Sequence, residues 1–267
     1  MLDLLRCEFA KLRRKPLFFA AAAVSALLPL GCALFLPDFQ EFTSGAEAVD
    51  GMMSTLFQMS AYLLLMPALV VLASNLIFEE QDNDTLKNLM TVPVSKPALA
   101  TAKMMLLLLF AIAFMAVGGL VILFIVLAAG WEPVGFLRLF FVGIGQGIMM
   151  WAGALPCILL VVLLNRSYII SVIVTFFYTA VHYIFSMSEI FTTQPFGLNL
   201  GTLLPGPLTF RWYFQYLDFS SPSAEMAALL ERIGPYFLNT TQAFLVTGVE
   251  AVVFLALIAL VYKRQGV

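Results

Sequence analysis

Long apolar stretches alternate with short polar connections along the whole chain. Each apolar stretch is close to or above the roughly 20 residues that an α-helix needs to cross about 30 Å of hydrocarbon. The pattern therefore predicts an all-α, polytopic membrane protein, built as a single transmembrane bundle over residues 1–267. The six predicted spans cover about residues 17–36, 54–78, 103–130, 136–164, 168–188 and 243–262.

Composition supports this fold class. The 267 residues are 62% hydrophobic and 11% charged, whereas a soluble domain has about 25% charged residues. A soluble globular protein is thereby excluded. The formal net charge of −2 carries little information, because in a membrane protein the placement of charges matters more than their sum.

The distribution of Lys and Arg predicts the orientation in the plasma membrane. Positive residues concentrate in the cytoplasmic connections of membrane proteins. With the N-terminus inside, eleven basic residues fall on the cytoplasmic side, against Arg138, Arg211 and Arg232 outside. We therefore expect cytoplasmic N- and C-termini, a cytoplasmic elbow at residues 79–102 and an external segment at 189–242.

Two segments outside the spans have helical patterns of their own. In residues 1–15, Leu2, Leu5, Phe9 and Leu12 fall on one stripe, which predicts an amphipathic helix in the inner headgroup layer; the alternative is that its basic residues only set orientation. A structureless external segment of this length would be unusual, so we expect short helices lying on the bundle, including one near 222–233.

The cytoplasmic elbow concentrates charge in an otherwise apolar chain. Four acids, Glu79, Glu80, Asp82 and Asp84, end the second predicted span. Asp84 can cap a short helix, and Pro93 and Pro97 are expected to end it in an extended corner before the third span. An acidic and then apolar knob of this kind suits docking to a basic partner; the alternative is a solvated loop that merely joins two spans.

The elbow also has a recognisable motif. The stretch "EQDNDTLKNLMTVPVSK" resembles the segment E-x-x-x-G-T-L-x-x-L-L-x-x-P-V-S-[RK] of ABC-2 type permeases, the membrane subunits of one class of ABC transporter. Asp84 departs from the glycine of that pattern and makes the surface more acidic. The matching positions are Glu80, Thr85, Leu86, Leu89, Met90, Pro93, Val94, Ser95 and Lys96.

This resemblance implies a division of labour between chains. Permeases of this type work with a separate nucleotide-binding ATPase, present in two copies, and with a second permease that is the same or a related chain. ATP and Mg would bind to the ATPase, and this chain would be a non-catalytic transport subunit. The residues expected to contact the ATPase are Glu79, Glu80, Asp82, Asp84, Thr85, Leu86, Leu89, Pro93 and Lys96.

The size and six-span layout resemble bacterial permeases of immunity exporters for peptide antibiotics such as lantibiotics and bacitracin. The implied activity is export of a hydrophobic or amphipathic compound. The sequence agrees in having no G-x-x-x-x-G-K-[ST] loop for a phosphate. We expect no cofactor in this chain and no nucleic-acid partner. A single histidine cannot supply a zinc-hydrolase motif, so we expect no metal site and no intramembrane hydrolase.

Three polar residues lie within the predicted spans: Gln146, His182 and Glu250. An intramembrane carboxylate is costly and must face protein or water. One interpretation is a substrate contact or a protonatable pair, and the other, which we favour, is an interhelical hydrogen bond between His182 and Glu250. An ion-coupled carrier or channel using these two residues is the alternative function, although the chain has none of the internal repeats typical of carriers.

Overall fold

The computed structural model describes residues 4, 6, 8–10, 16–35, 42–82, 95–164, 168–218 and 224–264. Within these ranges the backbone is helical almost throughout and contains no strand. The helices pack around one continuous apolar core. The predicted all-α helical bundle is therefore confirmed.

In the described part of the chain, seven α-helices and one π-helix form the bundle. Five continuous helical stretches are long and apolar enough to cross a membrane, and a sixth, shorter one covers Phe19–Leu34. The chain is therefore a multi-pass membrane protein. In order, the helices are α1 (Pro16–Phe35), α2 (Gly45–Thr55), a π-helix (Leu56–Leu65) that runs straight into α3 (Met66–Asp82), α4 (Lys96–Ala128), α5 (Phe136–Leu164), α6 (Tyr168–Met187) and, last in the chain, α11 (Thr240–Arg264).

The helix that holds the second predicted span begins earlier than its apolar run. Residues 45–53 were expected in a polar connection, but they form α2. Ser44 caps this helix by accepting a hydrogen bond from the Glu47 N–H at 3.3 Å, as N-cap serines do. Val49 and Met52 then lie buried on one face. A capped amphipathic turn thus extends the second span toward the first.

Helix α5 lies at the centre of the bundle. It packs against α3, α4, α6 and α11, and most of its length is buried. Glycine permits the closest of these approaches: a Cβ on Gly147 would lie 2.9 Å from the Ala111 backbone oxygen of α4. The small-residue run at 143–147 therefore brings two helix backbones together.

A cap of short helices connects α6 to α11. We use this name for residues 188–218 and 224–239. The prediction of short helices on the bundle is confirmed, including the helix expected near 222–233. They are α7 (Glu189–Thr192), α8 (Leu200–Leu203), α9 (Pro205–Tyr213), a 3₁₀ turn (Phe214–Tyr216), α10 (Ala224–Ile233) and a second 3₁₀ turn (Gly234–Tyr236).

Arg211 holds the cap together from within. Its side chain is buried and donates to the backbone oxygens of Tyr236 at 2.9 Å, Gly201 at 3.0 Å and Gln194 at 2.7 Å. These carbonyls belong to three separate turns of the cap. Burial lowers the pKa of the Arg211 guanidinium, yet arginine remains charged in proteins. One cation therefore closes the cap by binding three carbonyls.

Candidate functional site

The predicted elbow lies between α3 and α4. Glu79, Glu80 and Asp82 belong to the last turns of α3, and their side chains lie outside the description. Asp84, Thr85, Leu86, Leu89 and Pro93 lie outside the described residues. Lys96 is the first residue of α4 and is half-buried. The structure therefore describes the end of α3 and the start of α4, which flank the elbow.

Pro97 differs from its predicted role. It was expected to break the elbow helix in an extended corner, but it occupies the first turn of α4. Proline is favoured there because its missing N–H has no helical partner in any case. Helix α4 consequently begins at Lys96, seven residues before the third predicted span, and Leu99 and Ala100 are already buried.

Lys103 joins the helix ends that flank the elbow. It is buried in α4 and its Nζ donates to the backbone oxygen of Leu76 in α3. The same Nζ lies 4.0 Å from a carboxylate oxygen of Glu8, in an N-terminal stretch whose described residues are helical. Both charged side chains are almost fully buried. One ammonium group thus links the N-terminal segment, α3 and α4 beside the elbow.

This contact changes the picture of the N-terminal segment. Phe9 was expected on its lipid-facing stripe and is exposed on the protein, as a residue facing lipid would be. Glu8, in contrast, turns into the bundle to meet Lys103. The described part of the segment therefore contacts the bundle through a charge that the amphipathic pattern did not single out.

Gln146 lies where α5 meets the π-helix. Its Nε2 donates to the backbone oxygen of Phe57 at 2.8 Å. Among the described residues, its Oε1 has no hydrogen-bond partner, and the same is true of the buried Ser60 and Tyr213 hydroxyls. Long π-helices are rare and occur often at functional sites. A polar spot therefore lies inside the bundle, against the π-helix.

His182 joins α6 to the cap. Its Nδ1 accepts from the Gly206 N–H at 3.4 Å, and the Gly206 backbone oxygen accepts from the Tyr62 hydroxyl at 2.8 Å. A Cβ on Gly206 would lie 2.4 Å from the His182 backbone oxygen, so only glycine allows this approach. The sole histidine thus has a structural partner in α9.

Glu250 does not pair with His182, which corrects the favoured interpretation. No hydrogen bond or ion pair joins Glu250 to any residue in the described part of the chain. The helix bounds give the reason. Because α11 begins at Thr240, Glu250 lies about 15 Å along it at 1.5 Å per residue. His182 lies five residues from the end of α6, or about 7 Å by the same rise.

Tyr178 connects the surroundings of His182 and Glu250. It lies nine residues from the end of α6, within the range at which a charge on Glu250 would act on its hydroxyl. Its hydroxyl donates to the Gly153 backbone oxygen of α5 at 2.6 Å, and its ring centroid lies 4.2 Å from that of His182. Tyr178, which the sequence analysis did not single out, therefore stands between the two predicted residues.

The sequence analysis also did not identify a polar stripe on α6. The buried face of α6 is polar along its length, with residues repeating at intervals of four, four, three and four. This helical spacing is visible in the sequence once the surrounding aromatics are set aside. The stripe consists of Ser171, Thr175, Thr179, His182 and Ser186.

No three His, Cys, Asp or Glu side chains of the described residues group as a metal site.

Comparison with protein families decides the classification. The family model described as "ABC-2 family transporter protein" matches residues 4–182, about two thirds of the chain. The chain belongs to this ABC-2 transporter family. No curated protein sequence matches it. The matched region of this ABC-2 protein runs from the N-terminal segment through the elbow to His182 of α6.

Family membership gives the site its context. An ABC-2 protein is a membrane transport subunit of an ABC transporter, and the family implies an ATPase partner. The matched range contains Lys103, Gln146 and His182. Glu250, the cap after His182 and all of α11 lie beyond the match. The elbow and its base therefore fall in the part shared with the family.

Proposed function

We propose that this ABC-2 protein is the permease subunit of an ATP-driven exporter in the bacterial plasma membrane. ATP hydrolysis by a separate subunit drives export of a hydrophobic or amphipathic compound through the bundle. The single observation that carries the proposal is the family match over residues 4–182, which includes the whole elbow. The elbow motif, with Glu80, Thr85 and Pro93, adds support from the sequence.

In this proposal the elbow receives the motion of the ATPase. Its acids, Glu79, Glu80, Asp82 and Asp84, contact basic residues of the nucleotide-binding subunit in the cytoplasm. Lys103 supports this role because it ties α3 to α4 next to the elbow. A push on the elbow then moves two helices together rather than one. The excess of Lys and Arg on the elbow side supports the cytoplasmic orientation.

The complete transporter would contain two ATPases and two permeases. The second permease would be another copy of this chain or a relative, and ATP with Mg would bind to the ATPases alone. We propose a self-protection role against peptide antibiotics of the lantibiotic or bacitracin type. The resemblance of the six-span layout to such immunity exporters supports this substrate class. An amphipathic peptide in the outer leaflet would leave past the cap.

The test is purification of the native chain from its own operon in mild detergent, asking whether a P-loop ATPase co-elutes. The variant reverses the elbow charges with Glu79→Lys, Glu80→Lys, Asp82→Lys and Asp84→Lys. A matched control reverses two exposed acids of the cap, Glu225→Lys and Glu231→Lys. We expect the ATPase to co-elute with the native and control chains and to be lost from the elbow variant.

Two results contradict the proposal. If the native chain retains no ATPase, transport by an ion-coupled carrier gains support, and His182 with Glu250 becomes the region to test. If the elbow variant retains the ATPase as well as the native chain does, the contact lies elsewhere on the protein. ATPase activity of the complex in liposomes, with and without a lantibiotic, then tests the substrate class.

A further inference from the structure

The packing of α6 and α11 implies a lateral groove between them. Both pack against α5 and against α9 of the cap, but they make no substantial contact with each other. Helix α9 therefore closes the groove at the cap end, and α5 forms its floor. The side of the groove facing away from α5 is open in the described bundle.

Glu250 lies on the α11 side of this groove, near the middle of the helix. The buried face of α11 includes its neighbours Thr247 and Ala251, whereas Val253, three residues further on, is 48% exposed. Glu250 is half-buried between these two faces. It lies ten residues, or about 15 Å, from the start of α11 and fourteen residues from its end. The carboxylate is therefore well away from both ends of the helix.

No protein group neutralises this carboxylate in the described structure. Glu250 has neither a hydrogen bond nor an ion pair there, and the hydroxyl of Tyr178 is already donated to Gly153. An intramembrane carboxylate without a partner is costly. A cation that enters the groove from the side would pair with this carboxylate and hold it in its charged form.

The opposite wall of the groove suits a cation as well. Tyr178 is half-buried on α6 and close enough to Glu250 for an electrostatic interaction. An ammonium group between a carboxylate and an aromatic ring gains from both the ion pair and the cation–π attraction. Exposed apolar side chains continue the two walls outward, among them Val181 and Leu257. They suit the hydrocarbon part of the same ligand.

We propose that the groove between α6 and α11 binds amphipathic compounds with an ammonium group, and that Glu250 pairs with that group. The inference rests on the proposed export function and gives it a substrate class: hydrophobic amines rather than neutral or acidic lipophiles. Tyr178 positions the ammonium group on the α6 side.

The first test compares two fluorescent probes that share one hydrocarbon chain and differ in the charge of its head group. One is a dodecylamine with a dansyl group at the far end of its chain, and the other is its uncharged N-acetyl derivative. Both are titrated against the full chain in phosphatidylcholine nanodiscs, without ATP or an ATPase. We expect the native chain to bind the amine about tenfold more tightly, a factor that corresponds to about 1.4 kcal/mol.

The variant Glu250→Gln keeps the shape of the side chain and removes its charge. We expect the preference for the amine to disappear while binding of the acetylated probe is unchanged. The control Glu225→Gln removes an exposed acid of the cap and should keep the tenfold preference. An equal preference in the native and Glu250→Gln chains overturns the proposal, as does equal binding of the two probes by the native chain.

A second measurement needs no variant and so does not depend on correct folding of Glu250→Gln. The amine probe with a diazirine in its chain is photo-crosslinked to the native chain, and the adducts are mapped by mass spectrometry. We expect adducts in peptides from 168–187 and 240–264. Adducts confined to other helices overturn the proposal.

Another copy of this chain is the competing occupant of the groove, and a cross-link decides between the two. In a chain with Cys7, Cys32 and Cys157 replaced by alanine, Val253→Cys is oxidised in native membranes. We expect no dimer on a denaturing gel, and efficient dimer formation overturns the proposal. The outcomes are separable from those of the elbow experiment, because probe binding requires no ATPase and ATPase retention requires no probe.

Discussion

The two ends of the bundle are each held by one buried cation, and the two cations act differently. In the cap, Arg211 binds three backbone oxygens at 2.7–3.0 Å. Beside the elbow, Lys103 donates to the backbone oxygen of Leu76 and lies 4.0 Å from the Glu8 carboxylate. Both side chains are 1% exposed.

The difference follows from the chemistry of the two side chains. A guanidinium presents five donors in a rigid plane, so it can fix several carbonyls at once, whereas an ammonium on a flexible stem is a compact point charge. The cap is thus fastened at three points within one segment. Lys103 instead connects three segments that are far apart in the sequence. The Arg211 arrangement suits a rigid cap, and the Lys103 arrangement suits a contact that transmits movement between segments.

The largest expected effect comes from Arg211→Met. The substitution removes the donor from three backbone carbonyls, one buried and two part-buried. Each acceptor left without a partner costs about 1–3 kcal/mol, so the three together cost at least about 3 kcal/mol. We expect the free energy of unfolding in detergent to fall by that amount, and the cap to become sensitive to protease. Thermal unfolding and limited proteolysis measure the two effects.

The exposed arginine of the same segment is the matched control. Arg232 forms a surface ion pair with Glu189 at 3.2 Å, and such pairs contribute about 0–1 kcal/mol. Arg232→Met should therefore leave unfolding and proteolysis nearly unchanged. Equal effects of the two substitutions would show that the cap does not depend on the buried guanidinium.

Lys103→Met tests the other end. A hydrogen bond to a charged group contributes about 1.5–3 kcal/mol, and we expect a loss of stability in that range, smaller than for Arg211. Glu8→Gln should cost less, because its carboxylate is further from the Nζ. The sharper measurement is ATPase stimulation in the assembled transporter, which Lys103→Met should lower more than Arg211→Met does. A larger effect of Arg211→Met on ATPase stimulation would refute the proposed difference between the two cations.

Gly206→Ala tests the contact between the cap and α6. A Cβ there overlaps the His182 backbone oxygen, and overpacking of this kind costs about 1–3 kcal/mol. We expect lower thermal stability in detergent. Gly234→Ala serves as its control, because a Cβ at Gly234 meets no atom within 4 Å. If both variants unfold at the same temperature as the native chain, the cap can move away from α6 without loss of stability.

The smallest effect is expected from Tyr178→Phe. It removes the hydroxyl that donates to the Gly153 oxygen, and interhelical hydrogen bonds in membranes contribute about 0.6 kcal/mol on average. We expect a shift in unfolding close to that value, which is best measured by equilibrium unfolding in mixed detergent. A loss as large as that from Gly206→Ala would mean that the Tyr178 hydroxyl has a further role.

The sequence predicted the fold class because hydrophobic length alone identifies membrane helices. It predicted α10 from a Ser-Pro start, an apolar face and a terminal glycine. It did not predict α2, since Ser44 and the acids that follow resemble a polar connection until Val49 and Met52 find a buried partner. It also assigned Pro97 to a corner, although proline in the first turn of a helix is equally favoured.

The intramembrane residues were harder to predict, for a geometric reason. His182 and Glu250 were paired on their distance from the apparent ends of two apolar runs. Helix α11 begins at Thr240, so Glu250 lies ten residues from its start rather than seven, and the cap supplied Gly206 as the partner of His182. The contact between His182 and Gly206 of α9 joins residues that are far apart in the sequence, so no periodic pattern of the sequence predicts it. Tyr178 was missed because aromatic residues on both sides conceal the spacing.

The central position of α5 has a consequence for how the protein is made. Its neighbours include α3 and α4, which the ribosome delivers first, and α11, which follows α5 only after the entire cap. Polypeptides emerge N-terminus first, at about 5–20 residues per second. For several seconds of synthesis the face of α5 that α11 will cover must therefore contact lipid or an insertion chaperone. Its glycine-rich, weakly polar surface is compatible with such temporary contacts.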